Sequence, residues 1–129
     1  MILDTSFLVD VLRGDDAVVE WERRLDGETL GLVTSVSVME LWEGIQLADA
    51  SSEERAAVRT LLEGLVDVAF DRPAAMRAGQ LNAVLRRRGE PVAVEDVMMG
   101  AVALERDEPV LTRNASDFER LPDLEVVTY

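Results

Sequence analysis

Histidine, cysteine and lysine are all absent from this chain, and its thirteen basic residues are all arginine. Each absence removes a class of chemistry. Serine–histidine and cysteine–histidine nucleophilic catalysis lack their base. Schiff-base chemistry and a Walker phosphate loop lack their lysine. A zinc site lacks the imidazole and thiolate ligands on which it is normally built, and disulfides are excluded. No apolar run approaches the roughly 20 residues that cross a bilayer, and no basic N-terminal region leads into an apolar signal core. A cytoplasmic protein without a membrane segment is the expectation. The groups left for catalysis are carboxylates, hydroxyls, arginine, or a metal held by oxygen. Oxygen-only ligands select hard cations such as Mg²⁺ or Mn²⁺.

The acids outnumber the arginines by 26 to 13, for a formal charge of −13. Such a chain repels itself and repels nucleic acid at long range. At about 1 M salt the screening length falls to roughly 3 Å and both penalties largely vanish. This acidic, lysine-free composition is what a salt-loving cell would be expected to use; the plain alternative is an acidic mesophilic protein from a GC-rich gene. With 129 residues, 48% of them hydrophobic, the chain is expected to form one domain, 1–129, around a substantial core.

Short apolar runs alternate with helical patterns. Met1–Leu3 reads as a strand and Thr5–Arg13 as a helix stopped by Gly14, followed by a helix over Asp15–Leu25. Leu30–Thr34 reads as a second strand. Ser35 or Ser37 can cap the next helix, which runs to about Ala48. In "SSEERAAVRTLLEGL", Ser51 and Glu54 form a capping box ahead of an apolar stripe. Val66–Phe70 is a third strand. Pro73 falls in the first turn of a long helix that stops at arginines 86–88 and Gly89. A further helix covers about Val94–Glu105, and Pro109–Leu111 and Glu125–Thr128 close the chain as strands. This alternation argues for an α/β fold whose central parallel sheet is covered on both faces. Sites in such sheets form beyond the carboxyl ends of the strands.

That rule selects among the acids. In "MILDTSFLVDVL", Asp4 directly follows the first strand, where a carboxylate is costly unless it caps the next helix or holds a cation. Glu40 lies early in the helix after the second strand, between Val36 and Leu47 on the helical wheel. Asp96 opens the helix before the fourth strand, a position the helix dipole alone favours. In "VLTRNASDF", Asn114 and then Asp117 follow the fourth strand, in what can also be an Asx turn. Carboxylates brought together cannot all stay ionised without a cation, so this set fits a divalent metal that activates water against a phosphodiester.

The segments "MILDTSFLVD", "SVSVMELWEG", "PVAVEDVMMGAVAL" and "VLTRNASDFERLPDLEV" resemble the PIN domain, in particular the VapC-type toxin ribonucleases of toxin–antitoxin pairs. The resemblance covers essentially the whole chain. It implies a three-layer α/β/α fold with about five parallel strands, and Mg²⁺- or Mn²⁺-dependent cleavage of RNA. It implies metal ligation by Asp4 and Asp96, support of metal or water by Glu40, and a fourth acidic role for Asp117. Thr5, Ser6 and Thr112 would hydrogen-bond around these groups. Some relatives carry aspartate where this chain has Asn114, and the glycine often found after "PV" is Ala93. The resemblance also implies a homodimer and a cognate antitoxin whose C-terminal segment enters the groove.

Three further segments carry expectations. Leu41, Trp42, Ile45 and Leu47 read as core packing, with an antitoxin groove as the functional alternative. Arg86, Arg87 and Arg88 read as a helix stop rather than an RNA contact, while Arg113, beside Asn114, is the better candidate for a phosphate. Among rival classes, a phosphorylated response-regulator switch lacks its lysine, and an Asp-x-Asp phosphatase fails because Ser6 stands at its second aspartate. A PIN-like binding module without activity is the remaining alternative.

Overall fold

Five two- or three-residue strands form one parallel sheet, and alternation along them builds a core on each face. In the computed structural model, which describes residues 1–27 and 29–129, these strands are β1 (Ile2–Leu3), β2 (Leu32–Thr34), β3 (Val66–Val68), β4 (Val110–Thr112) and β5 (Val126–Thr128). Their order is β3-β2-β1-β4-β5. Ile2 pairs with both Leu32 and Val110, and Leu3 with Leu111. Successive strand residues point to opposite faces. Ile2, Leu32, Val68 and Val110 accordingly pack on one side, and Leu3, Val33 and Leu111 on the other.

The first face is covered by α5 (Arg72–Arg87) and α6 (Val94–Arg106), through Leu81, Leu85, Val97 and Met99. The second is covered by α1 (Thr5–Arg13), α3 (Ser35–Leu47) and α4 (Ser52–Glu63), through Phe7, Leu8, Leu41 and Val58. Between α1 and β2 lie a 3₁₀ turn (Asp16–Val18) and α2 (Val19–Gly27), and between β4 and β5 a one-turn α7 (Ala115–Phe118). The result is the expected three-layer α/β/α arrangement. Among the described residues, no helix is long and apolar enough to cross a membrane.

The helix punctuation reflects local chemistry. Ser51 and Glu54 form the expected capping box, and Asp71 accepts the Ala74 N–H one residue after Pro73 enters the first turn of α5. Gly14 and Gly89 close α1 and α5 with φ of 68° and 65°, a conformation glycine adopts without strain. The cap of α3 is Thr34, not Ser35 or Ser37: its hydroxyl accepts the Ser37 N–H at 3.2 Å. The helix expected over Asp15–Leu25 is broken, because the Asp15 side chain accepts the Ala17 N–H and tightens the first turn. Strand β2 begins only at Leu32, leaving Leu30 exposed. At Gly31 a β-carbon would lie 2.9 Å from Leu65 Cδ2. Leu41 is buried, and Trp42 is half-buried under Arg59, whose guanidinium carbon lies 5.1 Å from the ring centre. Leu47, read as core, is 81% exposed as the last residue of α3.

Two results are expected from this packing. Phe118, 1% exposed, is the apolar anchor of α7. Phe118→Ala is expected to cost about 3–5 kcal/mol in urea unfolding; a cost under about 1 kcal/mol would mean that α7 is not held by its core contact. The second concerns charge. With 26 acids against 13 arginines, the melting temperature is expected to rise between about 0.1 M and 1 M KCl, as the screening length falls from about 10 Å to about 3 Å. A flat or falling melting temperature would contradict self-repulsion as a destabilising force.

Candidate active site

All five parallel strands end at the same edge of the sheet, and the segments leaving that edge gather the acids there. Asp4 comes directly after β1, with its backbone N–H bonded to the Leu111 carbonyl of β4. Thr112 ends β4, and Asp117 lies in α7 just beyond it. Glu40 projects from α3 after β2, and Asp96 from the first turn of α6.

Asp4 occupies the N-cap position of α1, yet its side chain makes no capping bond. The cap alternative for this residue is therefore overturned. The residue is 6% exposed, and one carboxylate oxygen, Oδ2, accepts both the Ser6 hydroxyl at 2.7 Å and the Thr112 hydroxyl at 2.6 Å. The two hydroxyls are themselves oriented. Thr112 Oγ1 accepts the Asn114 N–H at 2.9 Å, and Ser6 Oγ accepts the Arg113 N–H at 3.4 Å. With their lone pairs engaged by backbone donors, both hydroxyls turn their protons to Asp4. Gathering both donors on one oxygen leaves Oδ1 without a hydrogen bond among the described residues.

Glu40 receives the Thr5 hydroxyl at 2.8 Å, and Thr5 Oγ1 also lies 3.1 Å from the buried Ser37 hydroxyl. Burial raises the Glu40 pKa, the Thr5 bond opposes the rise, and the charges of Asp4, Glu95 and Glu43 add to it. Asp96 is raised further, from 3.8 to about 7, first by burial and then by the charges of Asp4, Asp117, Glu40 and Glu95. Four acids read from the sequence thus act on one another here, joined by two unforeseen ones, Glu95 and Glu43. The Asp117 carboxylate lies 3.9 Å from Arg120 Nη1, and the same nitrogen donates to the Pro91 carbonyl. The Asn114 side chain turns instead to Ser116, 3.4 Å away, so at this corner it is Asp117 whose charge reaches Asp96.

The chemistry of these donors fits a hard divalent cation. All are carboxylate oxygens, and burial together with their mutual repulsion raises the Asp96 pKa to about 7. Among the described residues, however, no three acids stand close enough to form a complete cage. Mg²⁺ suits such an open set, because it takes one or two carboxylates and keeps several waters.

Sequence reasoning missed a second buried acid. Asp10 is 1% exposed. Its two oxygens accept Arg113 Nη1 at 2.8 Å and the Tyr129 hydroxyl at 2.7 Å. Its signal was the one applied to Asp4, a lone charge in an apolar stretch, "FLVDVL". Arg113 is thus anchored through Nη1 while 54% of its side chain stays exposed. Tyr129 also packs edge-on against Phe7, with ring centres 5.2 Å apart, and burial together with the Asp10 bond raises its hydroxyl pKa.

Residues 1–124 match the PIN domain family. A protein of Salmonella typhimurium strain LT2 named tRNA(fMet)-specific endonuclease VapC is 33% identical over 125 residues, covering 97% of this chain and 94% of that protein. One of the same name from Shigella flexneri is 28% identical over 123 residues, covering 95% and 92%. The crystal structure of DNA-bound VapBC from Salmonella typhimurium superimposes with a TM-score of 0.89 at 28% identity, covering 98% of this chain and 96% of that one. VapBC2 from Rickettsia felis, bound to a DNA fragment from its promoter, superimposes at 0.92 with 19% identity, covering 99% and 97%, a likeness of fold.

Proposed function

Because this chain belongs to the PIN-domain family, and to its VapC group, we propose that it is a Mg²⁺- or Mn²⁺-dependent endoribonuclease, the toxin of a toxin–antitoxin pair. The observation that carries this reading is the gathering of Asp4, Glu40, Asp96 and Asp117 at one edge of the sheet, where Asp4 takes both hydroxyls on a single oxygen and where burial first, and the neighbouring charges second, raise the Asp96 pKa to about 7. In this reading Asp4 and Asp96 hold the ion, Asp117 adds its negative charge beside Asp96, and Glu40 orients the attacking water with Thr5 fixing its carboxylate. Ser6 and Thr112 hold Asp4 in place, Asn114 fixes Thr112 through its backbone, and Arg113 takes an RNA phosphate. When bound, the ion supplies positive charge to the phosphodiester and acidity to water. It also gives a chain of charge −13 a local site that accepts phosphate.

The names of the Salmonella and Shigella relatives make tRNA the first RNA to assay, and the VapBC complexes point to a small antitoxin as partner. We place the protein in the cytoplasm as a single domain that forms a homodimer. Purified protein is incubated with total tRNA in molar KCl with Mn²⁺, with Mg²⁺ or with EDTA. Cleavage only with a divalent ion is expected. A folded protein that cleaves no RNA under any of these conditions would overturn the ribonuclease reading in favour of a binding module.

A further inference from the structure

We propose that Asp10 is a positioning residue for RNA binding, acting through Arg113. The proposal rests on the reading of this edge as a ribonuclease site, and it concerns a residue that reading does not use. A buried carboxylate is kept only when it is paired, because desolvation disfavours an isolated charge. Asp10 is paired on both oxygens, by a guanidinium nitrogen and a phenol. Neither partner is explained by core packing alone: the Arg113 side chain is 54% exposed, and Tyr129 brings a hydroxyl into an otherwise apolar contact with Phe7.

The arrangement is continuous with the acidic groove. Asp10 lies one turn after Ser6 on α1, on the same face of the helix. Ser6 holds Asp4 with its proton and accepts the backbone N–H of Arg113. Arg113 itself stands between Thr112, which holds Asp4, and Asn114, which orients Thr112. One segment, 112–114, is therefore bound to α1 at two levels: through Ser6 at the groove and through Asp10 one turn away.

A guanidinium suits this place. Its five N–H groups lie in a rigid fork, so a nitrogen on Asp10 fixes the plane and directs the remaining donors. With more than half of its side chain exposed, Arg113 retains donors for a phosphate of an RNA strand entering the groove. In a chain that repels nucleic acid overall, fixing the orientation of this cation lowers the ordering cost of each contact it makes. Arg113 supplies the contact, Asp10 aims it, and Tyr129 satisfies the second Asp10 oxygen.

The test is steady-state RNA cleavage in Mn²⁺ by wild type, Arg113→Ala, Arg113→Lys, Asp10→Asn and the Asp10→Asn/Arg113→Ala double variant, with folding checked by circular dichroism. Arg113→Ala is expected to raise KM about tenfold or more with kcat little changed. It should also lower the slope of log KM against log salt by about 0.7, one phosphate contact on a single strand. Asp10→Asn is expected to raise KM in the same way alone, and to add nothing in the Arg113→Ala background. Arg113→Lys should bind as poorly as Arg113→Ala, because a single ammonium held at Asp10 has no rigid second edge to offer. If Asp10→Asn does not fold, the lysine variant decides by itself. A wild-type KM in Arg113→Lys, or an additive effect of Asp10→Asn in the double variant, overturns the proposal while wild-type cleavage leaves the ribonuclease reading standing. Absence of metal-dependent cleavage in wild type overturns both.

Discussion

Asp4→Asn is expected to reduce RNA cleavage by about 10³-fold or more and to leave the protein folded. The Asp4 Oδ2 atom accepts two hydroxyls, from Ser6 and Thr112. An asparagine carbonyl in its place accepts the same two, so the hydrogen bonds that tie β1, α1 and β4 together survive. What is lost is the negative charge that acts on Glu40 and Asp96. If that charge helps hold a cation worth several kcal/mol to the transition state, each loss of about 1.36 kcal/mol costs tenfold in rate. The melting temperature should not fall, since the substitution removes one of the charges that repel Asp96. Cleavage rates and thermal melts on the same preparations decide the matter. Unfolding without any change in the rate per folded molecule would make Asp4 a structural residue.

Asp96→Asn is expected to remove cleavage as well, and to stabilise the metal-free protein at neutral and alkaline pH. The Asp96 pKa is raised in the folded state, from 3.8 to about 7. Between those values the folded protein holds a proton that the unfolded chain has released, so stability falls as pH rises through this window. The stabilising contribution of protonated Asp96 is complete below about 4 and gone above about 7. Asparagine does not titrate, so the variant's stability should fall less steeply over the same range. Some slope remains, because the Glu40 pKa is raised in the same direction. Urea unfolding in EDTA at about pH 4 and about pH 8 is the measurement: the two proteins should converge at low pH and separate at high pH, with the variant the more stable. In wild type, Mn²⁺ at a hundredfold excess over its Kd should add about 2.7 kcal/mol at about pH 8. A variant less stable than wild type at the higher pH without metal would contradict the crowding.

Much of this was legible in the sequence because it is local or topological. Ser51 with Glu54, Pro73 and the glycines 14 and 89 mark helix ends through bonds made within a few residues. The rule that sites form at the carboxyl ends of parallel strands singled out Asp4, Glu40, Asp96 and Asp117 before any distance was known. What was not legible depends on residues far apart in the chain. The partners of Asp4 include Thr112, 108 residues later, and those of Asp10 are Arg113 and Tyr129, 103 and 119 residues later. The lone charge in "FLVDVL" marks Asp10 as unusual, but no local pattern names its partners. Local competition explains the smaller differences. In "TSVS" three hydroxyls compete to cap α3, and Thr34 prevails because its side chain reaches the Ser37 N–H. In "DDAV" the Asp15 carboxylate captures a backbone donor before a regular helix can begin.

The most direct measurement is Mn²⁺ binding monitored by electron paramagnetic resonance in molar KCl, where weak association with surface acids is screened. Wild type, Asp4→Asn and Asp96→Asn are compared with Glu53→Gln, which alters an exposed acid in the first turn of α4. One tight site in wild type and in Glu53→Gln, weakened in both aspartate variants, is the predicted result. Binding unchanged by Asp4→Asn would contradict the claim that the free oxygen of Asp4 is there to hold a cation.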